Sequence, residues 1–161
     1  MHHDRFSIIA ALTLALSSAL TACARAPVTI SQQSVAERSL WHASLASPSD
    51  LAGAVQVTGT ASMGPGSKSG TTDVAFHLGN VSPGGVHPWA MHRGTCANDA
   101  GLFGSSDAYE PVTVDGSGKA AATATIPLEP PTSGDYFVVV YASASNMSMT
   151  IACGNLAPPT P

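Results

Sequence analysis

From Ala54 onward, apolar and polar residues alternate with the period of two that a half-buried strand requires. TTDVAFHLGN puts Val74, Phe76 and Leu78 on one face and Asp73, Ala75 and His77 on the other. AVQVTGTASM alternates in the same way, and the turn GPGSKSG separates the two. Further strands are predicted in VHPWAMHR, YEPVTV, KAAATATIPL, GDYFVVVYAS and MSMTIACG, with SPGG as a turn and DGSG as a hairpin turn. SLWHASLA, Ser39 to Ala46, reads as a first strand or a short helix, because so short a run does not separate the two periods. Seven or eight strands divided by Gly, Pro and Ser turns predict an all-β chain folded as a β-barrel or sandwich.

The first residues follow a different pattern. Arg5 precedes a mostly apolar run from Phe6 to Leu20, of secretory-signal length and too short to span a bilayer. Leu20-Thr21-Ala22-Cys23 closes it and resembles the lipobox of bacterial lipoproteins, in which the cysteine is lipidated and becomes the first mature residue. An ordinary signal with a chance cysteine is the alternative. The reading implies a signal peptide over 1–22, a lipidated Cys23 with a polar tether over 23–50, a β domain over 51–156 and a frayed Pro-rich tail over 157–161. The protein is then exported and held on the bacterial cell envelope through its lipid anchor.

Export changes the cysteine arithmetic. With Cys23 lipidated, Cys96 and Cys153 remain, and in an oxidising compartment they are expected to pair, two free thiols being the alternative. Composition adds exclusions. The chain is 44% apolar and 10% charged, which is too apolar for disorder. Its net charge of −4 and its lack of a Lys/Arg cluster argue against a nucleic-acid partner.

Candidate chemistry concentrates in HPWAMHRGTC. Two imidazoles in ten residues suggest a metal site, but alternation divides them. His87, Trp89 and Met91 are expected on one face, and Pro88, Ala90 and His92 on the other. A two-histidine site on a regular strand needs His-x-His, and Ala90 stands where the second imidazole belongs. His87 is expected to make a structural hydrogen bond, and Trp89 and Met91 to fill the core. Met147 and Met149 alternate with Ile151 and read as barrel core, or as part of a Met–His copper site with Met91. Arg93 is expected to pair with Asp99, Asp107 or Glu110.

GNVSPGGVHPWAMHRGTC resembles the metal-binding strand of Cu,Zn superoxide dismutases, of the form G-x-x-x-G-x-H-G-F-H-x-H-E-x-G-D with a later Cys. DAYEPVTVDGSGKAAATATI is similar to that family's strand, turn and strand after its zinc loop. GDYFVVVYAS is similar to the strand bearing its last copper histidine, and MTIACG to its final cysteine strand. The resemblance covers Val55 to Leu156 and implies a Greek-key barrel. It also implies which ligands are gone. The copper pair falls on Ala90 and His92, the last copper histidine on Tyr141 and the active-site arginine on Thr150. The zinc-loop segment ANDAGLFGSSDA has no histidine, and its Asp99 and Asp107 fall short of the four donors of a closed zinc site.

One imidazole does not hold a redox-cycling copper. The resulting expectation is a non-catalytic, superoxide-dismutase-like envelope lipoprotein with no cofactor, no catalytic residues and a binding or interaction role. The alternative is a copper-binding or residual dismutase-type metalloprotein using His92. His92 itself is either a remnant ligand joined by Tyr141 or a surface histidine with a carboxylate or water partner.

Overall fold

The computed structural model describes residues 39–51 and 56–160. Cys23 and the expected signal peptide lie outside them, as does most of the tether. The described chain is all-β. Its strands are β1 (Trp41–Ala46), β2 (Thr58–Pro65), β3 (Thr72–Gly79), β4 (Val86–His87), β5 (Trp89–Thr95), β6 (Asn98–Leu102), β7 (Val112–Thr113), β8 (Ala120–Ile126), β9 (Tyr136–Ser143) and β10 (Asn146–Asn155). Eight of them form one antiparallel sheet in the order β6-β5-β9-β10-β1-β2-β3-β8, curled into a half-barrel, and β4 and β7 pair separately.

Burial follows the alternation closely in the first half of the sheet. In β3, Val74, Phe76 and Leu78 are buried, as the pattern predicts. Thr72 shares their face and is fully buried, its hydroxyl donating to the Leu128 carbonyl at 2.8 Å. SLWHASLA resolves as a strand. Trp41, Ala43 and Leu45 of β1 enter the core while His42, Ser44 and Ala46 face out. This corrects the expected tether over 23–50, because β1 lies between β10 and β2 inside the sheet. The tail begins later than expected too. Ala157 exchanges two backbone hydrogen bonds with His42, at 3.0 and 2.8 Å.

VHPWAMHR is not one strand. Proline has no N–H to give a ladder, and the chain breaks at Pro88, whose carbonyl accepts from Tyr141 N at 2.9 Å. β4 pairs with β7, while β5 pairs with β9 and β6. The two histidines therefore belong to different strands rather than to opposite faces of one. DGSG is a tight turn, closed by Asp115 N to Lys119 O at 2.8 Å, with Gly118 at φ 75°. The strands it joins do not pair with each other as a hairpin would: β7 pairs with β4, and β8 pairs with β3.

β6 is a strand the alternation does not announce. Asn98, Asp99, Ala100 and Gly101 are poor strand formers, yet the chain turns back at Cys96-Ala97 and pairs Thr95 with Asn98 and His92 with Leu102. Gly94 makes this possible. Its φ is 93°, and a Cβ there would collide with the Asn98 carbonyl.

β9 and β10 form a hairpin whose register slips twice, between Asn146 and Thr150 and between Thr150 and Ala152. β1 meets β10 only from Cys153 onward, so residues 146–150 overhang the end of β1. The core reading of Met147 and Met149 fails for that reason. They are 47% and 44% exposed. Trp89 and Met91 are in the core. A disulfide joins Cys96 to Cys153 with Cα atoms 6.0 Å apart, tying the β5–β6 turn to β10.

Candidate functional site

The outer face of β5 and β9 carries the residues the sequence singles out. Ala90 pairs with Val139 and His92 with Phe137. Phe137 and Val139 are buried although they lie on this outer face, so the wall under His92 is apolar. The His92 ring leans on Phe137 at 5.3 Å between centroids.

Both nitrogens of His92 have partners. Nδ1 lies 2.8 and 2.9 Å from the two carboxylate oxygens of Asp99. Nε2 lies 3.4 Å from the Tyr141 hydroxyl. An imidazole facing a carboxylate through Nδ1 donates there, which leaves Nε2 to accept from the phenol in the neutral ring. Asp99 is itself oriented, because Oδ1 also accepts from Gly101 N at 2.7 Å. The hydrogen bond from His92, with that of the Gly101 amide, holds the Asp99 carboxyl below the usual carboxylate range. Burial pushes the Tyr141 phenol up, and the Asp99 charge adds to it.

The hairpin β5–β6 creates this pairing; the sequence allows His92 a carboxylate or water partner but does not single out Asp99. Arg93 is expected from the sequence to pair with Asp99, Asp107 or Glu110. Instead Arg93 donates to the Leu102 carbonyl at 2.7 Å and stacks over the Phe103 ring at 5.3 Å. Arg93 and His92 are adjacent and point to opposite sides of β5, so one acidic residue does not serve both. The available signal was the pair of glycines, Gly94 and Gly101, that flank a reversal at Cys96.

His87 and Trp89 sit behind this wall. His87 Nδ1 lies 3.0 Å from the Tyr141 carbonyl, so it donates and fixes the ring tautomer. Its Nε2 is covered, has no hydrogen-bond partner among the described residues and packs against Gly85. Trp89 donates Nε1–H to the Glu110 carbonyl at 2.8 Å and meets Phe76 and Tyr109 edge-on. The Tyr109 hydroxyl donates to the Phe103 carbonyl, and burial pushes its pKa up to about 12.

The donor set at His92 does not fit the copper or zinc centre that the resemblance brings to mind. Nδ1 is engaged by Asp99, the side chain of Ala90 is a methyl group, and Tyr141 offers one neutral phenol. Among the described residues, no three His, Cys, Asp or Glu side chains form a metal-holding group. The chain matches no model of a known protein family, and no curated protein matches it.

Proposed function

We propose that the protein is a superoxide-dismutase-like, Greek-key β-barrel lipoprotein of the bacterial envelope that has no copper or zinc site and serves as a binding or interaction module. Three features support the barrel reading. The sheet order runs β5-β9-β10-β1-β2-β3-β8, so three neighbouring pairs are distant in the chain. β4 lies against β9 and β7 against β8, so the β4–β7 pair links the two sides of that order. The disulfide joins the turn after β5 to the last strand, as the resemblance implies.

The observation that carries the loss of chemistry is the partnering of His92. Its Nδ1 is spent on Asp99 and its Nε2 faces a phenol, while Ala90 contributes only carbon. A fold keeps its scaffold when its site changes, so function on this barrel rests on surface recognition. The test is calorimetry with Cu(II) and Zn(II) on the full chain, with elemental analysis and a dismutase assay after copper loading. No tight binding and no dismutation are expected. Stoichiometric copper that disappears in His92→Ala would overturn the reading. Membrane fractionation of wild type against Cys23→Ala tests the anchor, and a pull-down from detergent-solubilised envelope tests for a protein partner.

One observation favours a second reading, copper binding at His92. A carboxylate on one ring nitrogen is the arrangement that orients metal-ligating histidines, and Asp99 holds His92 that way. The same titration decides between the two.

A further inference from the structure

The protein has five methionines, and the fold treats them unequally. Met63 and Met91 are 1% and 0% exposed inside the core, whereas Met147 and Met149 are 47% and 44% exposed. The exposed pair stands two residues apart on the overhang of β10, beyond the end of β1, and neither belongs to the core cluster. Met149 also borders a recess of about 420 Å³ that it shares with Pro48, Asp50, Leu51, Asn146 and Thr150.

We propose that Met147 and Met149 form a paired oxidation site for peroxides, and that both residues take up oxygen while the barrel stays folded. The thioether sulfur attacks one oxygen of hydrogen peroxide. A sulfur–oxygen bond forms as the oxygen–oxygen bond breaks. The sulfur is oxidised by two electrons, and the peroxide is reduced to water after proton transfer to the leaving oxygen. The product is methionine sulfoxide, which reductases return to the thioether. The step that consumes this product is a two-electron reduction in which two thiols are oxidised to a disulfide and the sulfoxide oxygen leaves as water.

The selectivity comes from packing. A sulfoxide at Met91 would place a polar oxygen among Val138, Val140 and Trp89 in the core, and the barrel must open before the oxidant arrives there. A sulfoxide at Met147 or Met149 stays in water and displaces no core contact.

The test is graded hydrogen peroxide treatment of the folded full chain, with oxygen uptake located by tandem mass spectrometry and the thermal midpoint followed in parallel. Met147 and Met149 are expected to react completely while Met63 and Met91 react at least about tenfold more slowly. The thermal midpoint should not move. In denaturant all four should react alike. The variant carrying Met147→Leu and Met149→Leu should keep the thermal midpoint and lose the fast oxygen uptake, leaving only the slow uptake at Met63 and Met91, Met1 being scored by its own peptide. Equal rates at Met63 or Met91 in the folded chain, or a fall in thermal midpoint once the hairpin pair is oxidised, would overturn the proposal.

Discussion

His92 is held from two sides, and the hold is electrostatic on one of them. Its bond to Asp99 lowers the carboxyl pKa, so the pair stabilises the fold fully above the ordinary carboxylate value of about 4. That contribution is lost as the pH falls through the lower, folded-state value. Asp99 is 52% exposed, so solvent screening keeps the pair under about 1 kcal/mol. Urea denaturation of Asp99→Asn should therefore show a small deficit at neutral pH that vanishes at acid pH. A deficit independent of pH would count against the pairing. Tyr109 behaves in the opposite direction. Its folded pKa of about 12 lies above the unfolded value near 10. Stability is intact below pH 10 and falls between pH 10 and about 12, because the unfolded phenol ionises first. Tyr109→Phe should flatten that alkaline limb, while costing about 1 kcal/mol at neutral pH for the lost hydrogen bond to Phe103.

At the scale of elements, strand alternation was a good guide wherever both neighbours of a strand were regular. β3 shows this, since β2 and β8 pair with it without a break. It failed in β10. The Met-x-Met-x-Ile pattern is that of a core strand, but two register slips and the early end of β1 leave residues 146–150 without an interior to face. The methionines therefore separate two kinds of position. Met91→Ala should cost about 2–5 kcal/mol through lost burial and a cavity. Met149→Ala should stay within about 0.5 kcal/mol of wild type. Chemical denaturation midpoints of the two variants measure the contrast, and similar losses would mean that the β10 overhang is packed.

At the scale of the molecule, the Cys96–Cys153 bridge joins two parts of the sheet that are 57 residues apart in sequence. Closing a loop of that length removes unfolded-chain entropy worth about 4 kcal/mol. Replacing both cysteines with serine should lower unfolding free energy by about that amount, measured by denaturant titration with and without reductant. Wild type in reductant and the double variant should agree, because both lack the bridge. The bridge also holds the β5–β6 turn on β10, beside the buried Val139 that pairs with both Ala90 and Cys153. Its reduction is thus expected to loosen the Asp99–His92 pair.

By itself, the sequence determined the all-β class, the faces of β3 and the core places of Trp89 and Met91. Each follows from local period, which needs no knowledge of neighbours; the pairing of Cys96 with Cys153 was an expectation that the structure bears out. Only the tertiary structure decided which strand each segment meets. It moved β1 from the tether into the sheet, split the histidine segment at Pro88, made a strand of Asn98–Leu102 and put Met147 and Met149 in water. It also brought Asp99 to His92, a contact made by a glycine-enabled reversal rather than by any period. Local pattern encodes which way a side chain points relative to its own strand. What lies on that side is set by ladder register and by where the neighbouring strands end, and those are properties of the assembled sheet.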